Sequence, residues 1–151
     1  MTHGAERFDI AIIGAGMAGA SLAAELGDAA RVVLLEAEAQ PGYHATGRSA
    51  AFWSETYGGP AVQPLTTASG LWLAEGGFLG ERGCFHIADA AGRAALEALA
   101  AGFAGTAVAL APLDRGALEA SLPGLARGWD HGLSEPTCQD IDVAALHAAC
   151  L

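Results

Sequence analysis

The hydrophobic pattern opens with a short run rich in branched side chains, Phe-Asp-Ile-Ala-Ile-Ile at residues 8–13. A run of that kind predicts a strand buried on both faces. A glycine-rich turn follows, and Met17–Leu26, rich in Ala and Leu, predicts a helix closed by Gly27 at positive φ. Val32–Glu36 reads as a second strand, so residues 8–36 form a strand–helix–strand unit of ordinary βαβ size. Beyond Pro41-Gly42 the pattern loosens into a long loop over residues 43–60. A helix is predicted over Val62–Glu75, with Leu65, Ser69 and Trp72 along one face. Further on the pattern predicts a strand at Cys84–Ala88, Asp89 as an N-cap and a helix over Ala90–Ala101. Thr106–Ala111 reads as a strand, Asp114 caps a short helix ended by Pro123-Gly124, and Arg127–Ser134 reads as a further strand. Val143, Leu146 and Cys150 then fall on one helical face, preceded by Asp140 and Asp142 as helix-start acids. That pattern runs to the last residue with no stop signal, so the chain reads as truncated.

Composition narrows the function classes. The chain has 151 residues, 52% hydrophobic and 16% charged, which suits one folded domain. A complete two-domain enzyme would need roughly 300–400 residues. All 7 basic residues are Arg, and against 17 acids the net charge is −10. Nucleic acids and anionic membranes both demand a basic surface, so neither is expected as a partner. Three cysteines at wide spacing, Cys84, Cys138 and Cys150, read as free thiols of a cytoplasmic protein. The leader with Glu6, Arg7 and Asp9 lacks the positive charge of a signal peptide, and Ala98–Leu113 is too short and interrupted to span a membrane.

The central motif is Gly14-Ala-Gly16-Met-Ala-Gly19, between the first strand and the first helix, with Glu36 at the end of the next strand. Each position has a mechanical reason. Gly14 permits the turn out of the strand, Gly16 lets backbone approach a pyrophosphate, and Gly19 lets helix and sheet pack closely. The helix N-terminus offers N–H groups and a positive dipole end to phosphates. Glu36 is placed to accept ribose hydroxyls and repel a 2′-phosphate, which disfavours NADP. The segment Ala45–Ala51, small and carrying Thr46, Arg48 and Ser49, suits a second stretch of pyrophosphate.

With these pieces the chain resembles the N-terminal part of the D-amino-acid oxidase family of FAD-dependent oxidoreductases (DadA-like, glycine/sarcosine oxidase-like). The resemblance rests on Gly14–Gly19, Glu36, residues 44–52 (HATGRSAAF), 54–60 (SETYGGP) and 139–151 (QDIDVAALHAACL). It implies an α/β fold: a Rossmann-like FAD-binding βαβ of the glutathione-reductase type, then the start of an α+β substrate domain. The expected division is residues 1–60 for FAD, 61–138 for substrate, and 139–151 returning to the FAD domain. It implies that Gly14, Ala15, Gly16, Met17, Ala18 and Gly19 wrap the FAD pyrophosphate, that Glu36 holds the adenosine ribose, and that Thr46, Arg48, Ser49 and Ala50 continue along the pyrophosphate. The implied chemistry is hydride transfer to flavin N5 from a C–H beside the nitrogen of an amino acid or secondary amine. Imine hydrolysis follows, and electrons pass to oxygen or a carrier. An FAD-dependent 2-hydroxy-acid dehydrogenase, an NAD-binding dehydrogenase half and an inactive remnant stay open as alternatives.

No catalytic residue or metal ligand is expected within this stretch. His44, in His44-Ala-Thr-Gly47, resembles a context in which some relatives link FAD covalently, but a non-covalent cofactor is expected. Cys138, Asp140, Asp142 and His147 have ligand chemistry, with the acids better explained as helix-start residues. Cys84 and His86 share a strand face without an orienting third group. Phe52, Trp53 and Tyr57 read as core. Missing the second half of the FAD domain, the chain alone is expected to fold poorly, bind FAD weakly and be inactive.

Overall fold

The computed structural model describes residues 6–151. In chain order the elements are β1 (Ile10–Ile13), α1 (Met17–Leu26), β2 (Val32–Leu35), β3 (Phe52–Trp53), α2 (Gln63–Glu75), β4 (Leu79–Glu81), β5 (Cys84–Ala88), α3 (Arg93–Gly102), β6 (Ala111–Asp114), α4 (Arg115–Ser121), β7 (His131–Glu135), β8 (Gln139–Ile141) and α5 (Val143–Ala149). They form two compact units. The first comprises the chain up to Ala51 together with Asp142–Leu151, and the second is Phe52–Ile141. No helix among the described residues is long and apolar enough to cross a membrane.

In the first unit β1 and β2 pair in parallel, from Ile10 opposite Val32 to Ile13 opposite Leu35. Parallel strands need a crossover, and α1 supplies it. Ala20 of α1 and Ile12 of β1 are buried, which the small side chains of the helix make possible. The expectation of a strand buried on both faces fails for β1: Ile13 is 88% exposed and its partner Leu35 is half exposed. Among the described residues this sheet has two strands, and the face that carries Ile13 is left uncovered.

The second unit carries two antiparallel three-stranded sheets, ordered β3-β8-β4 and β5-β7-β6. The strand Cys84–Ala88 and the Asp114-capped helix lie where the pattern put them; the Asp114 carboxylate accepts the Ala117 N–H at 2.9 Å. Other elements move. α3 starts at Arg93, because the Asp89 carboxylate takes the Gly92 N–H at 2.9 Å and holds residues 89–92 as a turn. β6 lies at Ala111–Asp114 rather than 106–111; as an edge strand it tolerates Pro112, which lacks a ladder N–H. The expected strand at 127–134 begins only at His131. β3, β4 and β8 are too short to show a period. Asp140, read as a helix-start acid, lies in β8 and pairs with Arg82 at 2.7 Å; only Asp142 caps α5, accepting the Ala145 N–H.

The face of α2 is also corrected. Leu65 is 74% exposed, and Ser69 and Trp72 are exposed too. The packed stripe is Thr66, Gly70 and Leu73: the Trp53 indole N–H donates to the Thr66 carbonyl at 2.8 Å, a Cβ on Gly70 would strike the same indole, and Leu73 is buried. Small residues let the large ring approach, so the larger apolar side chains mark the wrong side. Trp53 is partly buried, but Phe52 and Tyr57, expected in the core, are exposed and meet edge to face at 6.1 Å.

Candidate functional site

The first unit builds a loop whose peptide groups are held on three sides. The β1 backbone leaves the sheet at Gly14, whose φ of +94° is a left-handed conformation that favours glycine. Its N–H donates to the Leu35 carbonyl at 2.7 Å, so the loop begins as an extension of the sheet. Gly16 is the N-cap of α1 with no side-chain cap. A Cβ on Gly19 would run into the Gly14 carbonyl oxygen, so the close packing expected of the third glycine is real.

Glu36 stands just after β2. Its Oε2 accepts the Ala15 N–H at 2.8 Å, and its Oε1 accepts the Ala37 and Glu38 N–H groups at 2.8 and 3.0 Å. The hydrogen bonds from Glu38 and Ala15 hold its carboxyl below the usual range. Glu36 is therefore anionic near neutrality and fixed in place, with lone pairs left over for hydroxyl donors.

Thr46 comes from the short 3₁₀ turn Thr46–Arg48, and its Oγ1 accepts the Met17 N–H at 2.9 Å. Two of the amides expected to face phosphate, those of Ala15 and Met17, are thus engaged inside the protein. The N–H groups of Gly16, Ala18 and Gly19 donate to nothing among the described residues. A Cβ at Gly14 would meet nothing within 4 Å, so open space lies beside the turn. Free N–H groups at the start of a ten-residue helix, open space beside Gly14 and a fixed carboxylate next door suit the pyrophosphate and ribose of a dinucleotide.

The other expected residues are on the surface. Arg48 is exposed, forms no ion pair among the described residues, and stacks its guanidinium 5.1 Å from the Tyr43 ring. Ser49 and Ala50 are exposed beyond the turn. His44 is exposed too, its Nε2 2.8 Å from Glu38 Oε1. His147, weighed in the sequence only as a metal ligand, is buried, with its Nε2 2.7 Å from the Ala15 carbonyl oxygen. Its one sequence signal is its place among the apolar positions 143, 146 and 150 in and just after α5.

The second unit has a polar cluster of its own. Glu135 on β7 is 0% exposed and lies opposite Cys84 on β5. Its Oε1 accepts from the Ser54 hydroxyl at 2.9 Å and the Thr56 N–H at 3.4 Å, and its Oε2 accepts from the Thr56 hydroxyl at 2.6 Å. His86 Nε2 stands 3.0 Å from the same Oε2. Burial pushes the Glu135 carboxyl up, but the Thr56, His86 and Ser54 hydrogen bonds outweigh it and hold it below the usual range. Cys84 and His86 thus do have a third group beside them, with ligand atoms all within 4.8 Å of one another. The carboxylate is already saturated with donors, and burial pushes the Cys84 thiol up, away from the nucleophilic thiolate. The cluster reads as a structural knot. Asp140, Asp142 and His147 are each committed to other partners.

Comparison with known proteins bears on the cradle. Residues 9–151 match the family described as "FAD dependent oxidoreductase" (DAO). The chain belongs to this family. Solved structures with the same fold include glycine oxidase from Geobacillus kaustophilus, at 24% identity and a TM-score of 0.77, covering 97% of this chain and 44% of that one. L-proline dehydrogenase from P. horikoshii aligns at 18% identity and a TM-score of 0.81, covering 96% and 41%. L-alpha-glycerophosphate oxidase from Mycoplasma pneumoniae, solved with FAD bound, aligns at 16% identity and a TM-score of 0.75, covering 97% and 42%. The chain therefore spans less than half the length of these members of the fold. The family is described as FAD-dependent, which supports FAD as the cofactor.

Proposed function

We propose that this chain is the FAD-holding part of an oxidoreductase that oxidises a C–N bond of an amino acid or a secondary amine. The observation that carries the reading is the loop fixed by Glu36 and Thr46, open at Gly14, with the amides of Gly16, Ala18 and Gly19 unpartnered among the described residues. Those amides bind the pyrophosphate, and Glu36 accepts the adenosine ribose hydroxyls. Thr46, Arg48, Ser49 and Ala50 line the path beyond, where Arg48 offers a cation without a carboxylate partner among the described residues. Bound FAD supplies the hydride acceptor. The cofactor is held without a covalent link, in keeping with an exposed His44 whose Nε2 is already engaged by Glu38. Residues that clamp the substrate are not assigned within this chain, and oxygen or a carrier takes the electrons.

Amine or amino-acid substrates are supported by the names of the glycine oxidase and proline dehydrogenase neighbours. The glycerophosphate oxidase neighbour favours a second reading, oxidation of a C–O bond on the same fold. The test is anaerobic mixing of flavin-loaded full-length protein with a panel of amino acids, N-methyl amino acids and 2-hydroxy acids. Bleaching of the flavin by the amines alone is expected; bleaching by the hydroxy acids alone rejects the C–N reading. Acid precipitation should leave the flavin in the supernatant.

A further inference from the structure

Ala15 is gripped through both of its backbone groups by side chains far along the chain. Its N–H donates to Glu36, 21 residues on, and its carbonyl lies 2.7 Å from His147 Nε2, 132 residues on. A carbonyl can only accept, so Nε2 of His147 carries the proton. The Ala15 carbonyl shares a peptide unit with the Gly16 N–H. No peptide among the described residues is cis, so this N–H points opposite to that carbonyl. A buried histidine that draws the carbonyl to itself therefore turns the Gly16 N–H the other way. That amide has no partner among the described residues.

The ring has a prepared seat. Gly42 has φ +74°, and a Cβ there would come within 2.8 Å of the His147 ring. The Gly42 carbonyl accepts the Gly47 N–H at 2.7 Å, which closes the turn that carries Thr46. The Pro41-Gly42 break thus makes room for an imidazole from the far end of the chain. Thr46, from the same turn, holds the Met17 N–H. His147 is buried, and its ring makes no other hydrogen bond among the described residues.

We propose that His147 is the positioning residue of the dinucleotide loop: by holding the Ala15 carbonyl it aims the Gly16 N–H at the FAD pyrophosphate. This rests on the FAD reading above. It gives α5 a role at the cofactor site through a hydrogen bond, beyond packing.

The test compares full-length wild-type protein with His147→Leu and His147→Gln, using FAD and ADP as probes. His147→Leu should weaken both FAD and ADP about tenfold or more, since it leaves the loop carbonyl without its donor. His147→Gln, which keeps a side-chain N–H at similar reach, should bind both within about threefold of wild type. A merely structural role would lower the melting temperature of the ligand-free variants and leave the affinity of the folded protein unchanged. Should His147→Leu fail to fold, the Gln variant and the ¹⁵N spectrum of the wild-type imidazole still decide. The spectrum should show Nε2 protonated, and a lone Nδ1–H tautomer overturns the proposal. Wild-type protein that binds FAD no better than His147→Leu also overturns it. Wild-type protein that binds no FAD brings down the FAD reading itself, and this inference with it.

Discussion

Glu36 and Glu135 do opposite work with the same chemical group. Both are carboxylates held below the usual range by hydrogen bonds. Glu36, in the first unit, is exposed and takes three backbone N–H groups at the edge of an open turn. Glu135, in the second, is fully buried and takes its donors from Ser54, Thr56 and His86. The first carboxylate can accept further donors from outside; the second has no access to any. Satisfaction alone therefore does not distinguish a binding group from a structural one. Exposure and unused lone pairs do, and that is why the candidate site lies in the first unit although the second holds the denser cluster of titratable groups.

Removing the buried carboxylate should have the largest effect. Glu135→Ala removes the acceptor of the Ser54 hydroxyl, the Thr56 hydroxyl and the Thr56 N–H, and its cost should be about 1–3 kcal/mol for each donor left unsatisfied. The urea midpoint measures it. A loss no larger than that of an average surface substitution would break the contrast between the two glutamates.

Gly19→Ala comes next. Its methyl group would meet the Gly14 carbonyl oxygen, which is backbone, so the loop must shift, at about 1–3 kcal/mol and with loss of FAD binding. Gly16→Ala should be milder, because its Cβ would lie 3.1 Å from the Thr46 hydroxyl, a side chain that can move. FAD titration of the two variants ranks them, and equal affinities would show that the turn is not the cradle.

Acid should sharpen the comparison. Both carboxyls have lowered folded values, so each contributes stability that is present above the ordinary value of about 4.3 and lost as pH falls through the folded value. Urea midpoints from about pH 6 down to about pH 3 should fall, and Glu135→Gln should flatten that limb more than Glu36→Gln, because only Glu135 is shut away from water. An equal effect of both variants removes the distinction.

The smallest effect concerns the thiols. Burial and the neighbouring Cys84 and Glu135 push the Cys138 thiol up to about 11. At pH 8 that leaves on the order of one thiolate in a thousand. Cys138 is buried and Cys150 is only partly so, so a thiol reagent followed by mass spectrometry should label Cys150 first. Early labelling of Cys138 would show that the interior around Glu135 is open.

Much of the cradle was legible along the chain, because its parts are local. The spacing of Gly14, Gly16 and Gly19 between a strand and a helix, with an acid after the next strand, is dictated by the geometry of one βαβ turn. The partners that fix it are not local. Thr46 reaches Met17 across 29 residues and His147 reaches Ala15 across 132; in the second unit Ser54 likewise reaches Glu135 across 81. Nothing in the residues near Ala15 marks His147 as its donor. β8 escaped notice for a related reason: three residues have no period of their own, and this strand exists only because β3 and β4 lie on either side of it. Sequence alone determined the local turn and its chemistry, since these follow from backbone sterics and spacing. Tertiary structure decided which distant side chains hold that turn in shape and which carboxylate is left open to a ligand, because hydrogen bonds between remote residues exist only once the chain has closed on itself.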